Sequence, residues 1–257
     1  QFGNYIKIDG AMPFYINQLS IIGIIDGDVF CDIMPSKNIY SVLSYNLFYG
    51  EKEEQLNYIN ANNFDFLFLQ ESTSNIINIL NKYEGFIINS HCGFTYLGIS
   101  KKFKNLKIIK NIYSNDGIII YLININNNNI IIGSLHLKSG YKNNTIRQQQ
   151  INNIIKIIKN ENLLNIPIIL GGDTNMCDYE NNIIKSYDFI DVYLTYNDCE
   201  KYLTYPNDEF KDDRIKFKAK NKYRYDRFLI KNCESLTYKT ISNKNSDHLS
   251  INMNVLL

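Results

Sequence analysis

Four carboxylates, two imidazoles and two amides stand where the apolar runs of this chain are broken: Asn46, Glu71, His136, Asp173, Asn175, Asp226, Asp247 and His248. Groups of these types bind ligands and move protons. A fold that packs strands side by side brings their ends to a common rim, where binding sites gather. The stretch "IPIILGGDTNM", residues 166 to 176, shows the pattern most plainly, with a short apolar run that ends in Asp173 and Asn175. Taken alone, GGDTN fits an ordinary turn, because Gly, Asp and Asn tolerate positive φ and bond their own backbone. Asn46 alone could end a strand, and Glu71 alone could belong to a solvated face. The eight residues together point to a site.

The elements that must position them can be read from periodicity. Residues 39–45, "IYSVLSY", and 64–69, "FDFLFL", are rich in β-branched and aromatic residues and read as strands, with a polar-faced helix over 51–63 between them. "GIIIYLI" and "IIIGSLHL" form a hairpin across the Asn-rich loop at 126–129. A helix follows in "TIRQQQINNIIKIIKNENLL", with Ile146, Ile151, Ile154, Ile155 and Ile158 near helical spacing, and it leads into the strand at 166–170. "FIDVYL", "YRYDRFLI" and "SINMNVLL" are further strand candidates, and 207–222 is a charged loop of mixed sign. "SIIGIIDGDVFCDI" predicts a hairpin turning at Asp26-Gly27-Asp28. Strands outnumber helices and do not alternate with them strictly, so the expectation is a layered α+β fold.

At 257 residues the chain fits one large domain. The sequence suggests a single domain over 1–257, with 1–38 as an N-terminal extension to which no role attaches. A hydrophobic content of 45% and a charged content of 21% are those of an ordinary globular protein. A net charge of +1 gives no global field for nucleic acid or membrane, so a phosphate-bearing partner must meet a local patch. Five scattered cysteines without a CxxC pair suggest neither a disulfide framework nor a zinc site, and a reducing compartment is expected. No run approaches the ~18 apolar residues of a membrane span, and "QFGNYIKIDG" lacks the form of a leader. The expectation is an intracellular protein of cytoplasm or nucleus, monomeric and without a membrane partner.

With "LSYN" at 43–46, "LQE" at 69–71, "SLHLKS" at 134–139, "GGDTN" at 171–175, "YDRFLI" at 225–230 and "SDH" at 246–248, the chain resembles the endonuclease/exonuclease/phosphatase superfamily of metal-dependent phosphodiesterases. The motifs occur in the family's order and span 39–257. The resemblance implies a four-layered αββα sandwich, two packed and mostly antiparallel sheets flanked by helices. "GDTN", "HLKS" and Thr204-Tyr205 look most like the 5′-tyrosyl-DNA phosphodiesterase branch. The chain departs from that branch at Phe48, where the branch has an acid, and at Met176-Cys177, where it has Leu-Arg.

The resemblance also implies roles. Glu71 and Asp247 would hold Mg²⁺, for which Mn²⁺ could substitute, and Phe48 makes one metal the simpler expectation. Asp173 would deprotonate the attacking water, with Asn46 and Asn175 donating around the phosphate. His248, oriented by Asp226, would stabilise the pentavalent phosphate, and His136 would approach from the other side. Ser139, Arg147, Cys177 and Tyr205 are the implied substrate contacts, with Arg147 the weaker of them and more readily an exposed helix arginine than a phosphate or loop contact. His91 is read as structural. The implied substrate is nucleic acid or a protein–nucleic-acid adduct. The alternatives are a small phosphodiester such as a phosphoinositide, a phospholipid headgroup or a short oligonucleotide, and a non-catalytic nucleic-acid-binding relic, which the four retained carboxylates disfavour.

Overall fold

The computed structural model describes residues 5–8, 19–25, 28–33, 38–49, 53–82, 90–92, 94–196, 203–209, 223–242 and 245–257. The chain divides into two compact units, Gln1–Ile39 and Tyr40–Leu257. The first holds an antiparallel sheet of β1 (Tyr5–Ile8), β2 (Leu19–Ile25) and β3 (Asp28–Ile33), in the order β1-β3-β2. The hairpin expected at Asp26-Gly27-Asp28 joins β2 to β3, and residues 26–27 themselves lie outside the described residues.

In the second unit the chain runs through β4 (Ile39–Asn46), α1 (Glu53–Ala61), β5 (Phe66–Gln70), α2 (Ser74–Lys82), β6 (Ser90–Cys92) and β7 (Thr95–Ile99). It continues through β8 (Lys107–Asn115), β9 (Ile118–Ile125), β10 (Asn128–His136), α3 (Asn144–Asn160) and β11 (Ile168–Asp173). The last elements are α4 (Asn182–Lys185), β12 (Ile190–Asp191), β13 (Asp226–Lys231), β14 (Glu234–Ile241) and β15 (Ser250–Leu256). They form two six-stranded sheets, ordered β14-β15-β4-β5-β7-β6 and β12-β13-β11-β10-β9-β8. β4–β5 and β10–β11 pair in parallel, whereas β14–β15, β5–β7, β6–β7, β8–β9, β9–β10, β11–β13 and β12–β13 pair antiparallel.

Three buried clusters define four layers. One, with Val42, Phe66, Phe68, Ile132, Ile169, Phe228 and Met253, lies between the sheets. A second packs the outer face of the β10–β11 sheet on Ile151, Ile154, Ile155 and Ile158 of α3 and Ile184 of α4. The third packs Leu43, Leu67 and Leu69 on Leu56 and Ile59 of α1 and Ile76 and Leu80 of α2. The fold is therefore an αββα sandwich. Central strands covered on both faces read as unbroken apolar runs, which is why "IIIGSLHL" and "FDFLFL" show no polar alternation.

Three expectations are corrected in detail. The Asn-rich loop is only the two-residue turn Asn126-Asn127, both at positive φ (50° and 68°), because a tight hairpin needs left-handed residues there and Asn tolerates them. "FIDVYL" is a strand only at Ile190–Asp191 and then coils into a 3-10 turn over Val192–Thr195. In α3 the buried stripe begins at Arg147, four residues before Ile151, whereas Ile146 is exposed. Of the charged loop at 207–222, residues 210–222 lie outside the described residues, as do the side chain of His91 and Cys199. Among the described residues no helix is long and apolar enough to cross a membrane.

Candidate active site

Successive residues of a strand point to opposite faces, so each strand carries one set of side chains between the sheets. On β11 that set is Ile169, Gly171 and Asp173; on β10 it is Ile132, Ser134 and His136. On β13 it is Ile230, Phe228 and Asp226, and on β4 it is Val42, Ser44 and Asn46. In each case the polar residue is the last member of an inward-facing series. Register then aligns them, with His136 opposite Asp173, Asp173 opposite Asp226 and Asn46 opposite Gln70. The site is the polar end of the core between the sheets.

The two glycines before Asp173 permit this. A Cβ on Gly171 would lie 2.6 Å from the Phe228 ring and 2.8 Å from Phe68 of the facing sheet. Gly172 has φ 151°, and a Cβ there would lie 1.9 Å from the carbonyl oxygen of Leu135. The first glycine lets the sheets approach beneath the site, and the second seats β11 against β10. A polar chain crosses the same gap: Ser44 Oγ donates to Gln70 Oε1 (3.5 Å), and Gln70 Nε2 donates to Ser134 Oγ (3.2 Å).

At the rim Asn46 Nδ2 donates to Asp173 Oδ2 (3.0 Å) and to Glu71 Oε1 (3.3 Å). Asp173 Oδ1 accepts the backbone N–H of Asn175 (2.9 Å), and Asn175 Nδ2 donates to the Leu137 carbonyl (3.1 Å). His136 Nε2 lies 3.8 Å from Glu71 Oε1 and 3.9 Å from Asp173 Oδ2. His248 Nε2 lies 3.8 Å from that same Asp173 oxygen, while Nδ1 binds Asp226 Oδ2 at 2.7 Å. Burial opposes charge on His248, but Asp226 and Asp173 outweigh it and hold the imidazolium up to about 10. Glu71 and Asn175 both sit at φ 50°. For glutamate that conformation costs about 1–2 kcal/mol, a strain that collects at functional positions.

Asp247 lies beside them. Burial pushes its carboxyl up to about 6, with Glu71 and Asp173 adding to the shift against the pull of His248. Its Oδ1 is buried without a hydrogen-bond partner among the described residues. Asp173, Asp226 and His248 also form a buried group whose ligand atoms lie within 4.8 Å of one another and which could hold a metal ion.

The implied substrate contacts separate. Tyr205 belongs to the site: its ring lies against the His248 ring, centroids 4.8 Å apart and planes tilted by 44°, and burial, then Asp247, Asp173 and Glu71, raise its phenol. Cys177 is half-buried and starts the 3-10 turn Asp178–Glu180. Ser139 is exposed, and its carbonyl accepts Asn143 Nδ2. Arg147 is corrected on both of its readings. It is fully buried and commits its guanidinium to Glu180 (Nε 2.9 Å, Nη2 2.6 Å) and, through Nη1, to the carbonyls of Lys138 and Gly140. Position 147 falls on the buried stripe of α3, so its charge is neutralised internally.

Several contributors escaped the sequence reading. Ser246 Oγ donates to the Asn46 carbonyl (2.6 Å) and accepts the His248 N–H, tying the two sides of the site together. Tyr223 stacks on Tyr225, which stacks on Tyr205, so a row of rings leads to His248. The signal for the row was the Tyr-x-Tyr spacing in "YRYDRF".

No protein-family model matches the sequence, and no curated protein does. Solved structures do. D. rerio TDP2 complexed with single strand DNA product matches at 18% identity with a TM-score of 0.68, over 85% of this chain and 99% of that one. An endonuclease/exonuclease/phosphatase family protein from Bacteroides thetaiotaomicron matches at 13% and 0.63, over 87% and 99%. The human Nocturnin catalytic domain with bound sulfate anion matches at 15% and 0.62, over 86% and 98%. At these identities the likeness is one of architecture, and the architecture of this chain is that of the endonuclease/exonuclease/phosphatase proteins.

Proposed function

We propose that the chain is a divalent-metal-dependent phosphodiesterase acting on nucleic-acid ends or a protein–nucleic-acid adduct. The observation that carries the reading is the convergence on Asp173 Oδ2 of Asn46, His136 and His248, contributed by both sheets. Phosphoryl transfer to water needs a positioned nucleophile, neutralisation of charge on the phosphoryl oxygens and help for the leaving oxygen.

In this reading Asp173 positions and deprotonates the attacking water, its carboxylate held at both oxygens by Asn46 and the Asn175 N–H. His248 enters charged, because Asp226 accepts from Nδ1 and leaves the Nε2 proton to a phosphoryl oxygen. His136 approaches the same oxygens from the β10 side. Glu71 and Asp247 fit Mg²⁺ or Mn²⁺, since an unmatched buried carboxylate oxygen beside two further carboxylates is a donor set that a hard cation relieves. Such an ion supplies Lewis-acid stabilisation of phosphoryl charge. The Asp173–Asp226–His248 group is less suited to it, because an imidazolium has no lone pair to give.

The likeness to D. rerio TDP2, whose structure holds single strand DNA product, supports nucleic acid as the substrate class. The test is a panel of tyrosyl-DNA, short oligonucleotide, phosphoinositide and nitrophenyl phosphodiesters, each assayed with Mg²⁺ and with chelator. Turnover of the nucleic-acid members that disappears with chelator is expected, and no turnover of any member overturns the proposal.

A further inference from the structure

Two exposed tyrosines stand on the loops that leave the strands carrying His136 and Asp173. Tyr141, 74% exposed, lies in "KSGYK" after β10, and Tyr179, 53% exposed, follows Asn175 after β11. Their rings meet edge to face, with centroids 6.0 Å apart and planes at 65°. Scattered exposed aromatics are common, but these two share a brace. Arg147 donates to Glu180, the neighbour of Tyr179, and through Nη1 to the carbonyl of Gly140, the neighbour of Tyr141, at 2.8 Å. Asn143 adds a backbone bond to the Gly140 carbonyl and a side-chain bond to that of Ser139. One buried guanidinium therefore fixes the spacing of two solvent-facing rings.

The surroundings favour one kind of occupant. Lys138, Ser139 and Lys142 are exposed around Tyr141. Beside Tyr179 the carboxylate of Asp178 is taken up by Arg224 and Arg227, and a ring pair with cations and a hydroxyl around Tyr141 matches the chemistry of single-stranded nucleic acid, in which a base stacks on the ring and the backbone phosphates meet the charges. A protein partner of comparable affinity would call for apolar side chains around the rings. We propose that Tyr141 and Tyr179 form a stacking platform for a nucleobase of single-stranded nucleic acid, on the His136 and Asn175 side of the phosphate site. The proposal rests on the phosphodiesterase reading for its substrate, and its test separates the two.

Binding of a fluorescein-labelled single-stranded DNA hexamer to the full chain is measured by anisotropy in excess chelator. Tyr141→Ala and Tyr179→Ala are each expected to raise Kd about 5-fold or more. Tyr141→Phe and Tyr179→Phe keep the ring and bind like the parent chain. A hexamer of abasic sites binds the parent and the alanine variants equally weakly. The proposal is overturned if the parent does not bind the hexamer, if the alanine variants bind as tightly as the parent, if the phenylalanine variants lose as much as the alanine ones, or if the abasic hexamer loses the same factor. Hydrolysis of the substrate panel with Mg²⁺ is scored separately, so its absence removes the phosphodiesterase reading while binding still decides the platform.

Discussion

Asn46 and Asp173, 127 positions apart in the sequence, meet at 3.0 Å across the gap between the sheets, amide to carboxylate. The same amide nitrogen reaches Glu71, so one neutral donor holds two carboxylates that would otherwise repel. Asn46→Asp replaces that donor with a third negative charge. It is expected to abolish activity and to destabilise the metal-free chain by about 1–3 kcal/mol, the usual cost of leaving buried partners unmatched. Added Mg²⁺ restores part of the loss. Thermal unfolding with and without Mg²⁺ checks this, and an unchanged midpoint in the metal-free variant contradicts it.

Metal dependence should follow the protonation of Asp247. Its carboxyl is raised to about 6 in the folded chain from 3.8, so between those values the folded state holds more protons than the unfolded one. The stability of the metal-free protein therefore falls as pH rises from about 4 through 6. A cation must displace that proton, so the rise in melting temperature on adding Mg²⁺ is expected to be small at pH 5 and larger at pH 8. Glu71→Ala should remove both the rise and the activity. An Mg²⁺ effect independent of pH would dissociate Asp247 from the metal.

Asp173→Asn keeps the shape of the side chain and removes its charge. Turnover is expected to fall by at least ~100-fold, the scale of a lost positioned base. Stability should hold or rise, because Asp226 stands opposite it in register and Asp247 and Glu71 are near. A lower midpoint on heating would mark Asp173 as a structural turn residue instead.

Arg147→Met leaves Glu180 buried without its cation. Breaking a pair of this kind costs about 3–5 kcal/mol, whereas replacing both partners by apolar groups can be nearly neutral. Urea unfolding should show a large loss for Arg147→Met and a partial recovery for Arg147→Met with Glu180→Leu.

Cys177 stands where the tyrosyl-DNA branch has arginine, and among the described residues no neighbouring arginine is placed to compensate. Arg147 binds Glu180, while Arg224 and Arg227 bind Asp191 and Asp178 from buried positions. A charge-assisted bond to substrate contributes ~1.5–3 kcal/mol, which a thiol cannot supply. Cys177→Arg is expected to raise cleavage of 5′-tyrosyl-DNA relative to a nitrophenyl phosphodiester by roughly 10-fold or more. Comparison of the two rate ratios decides it, and a ratio no higher than that of the parent chain refutes it.

Much of the rim was legible because strands announce where they stop. "GGDTN" and "LQE" follow the apolar runs of β11 and β5 and "SDH" precedes that of β15, and in β11 the run fixes the face that its last residue, Asp173, takes. Arg147 was misplaced because a charged residue on an apolar stripe looks like an interruption until Glu180, 33 positions later, is seen to neutralise it. The tyrosine row was missed for a related reason: Tyr205 and Tyr223 come together through an isolated bridge between irregular segments, where periodicity carries no signal. Ser246 acts through a bond to a backbone carbonyl 200 positions away, which no local pattern encodes.

The alternation that turns Asp173, His136 and Asp226 toward the same gap has a consequence for quality control. Sliding β11 by one residue against its neighbours would send every inward side chain to the helix-covered face and carry Asp173 away with them. No partly active molecule can result from such an error, because the aspartate that completes the site is counted on the same two-residue beat as the core beneath it. On the phosphodiesterase reading, turnover in a refolded sample is expected to read out the fraction of molecules whose central strands have found their partners, with mispaired but compact chains silent.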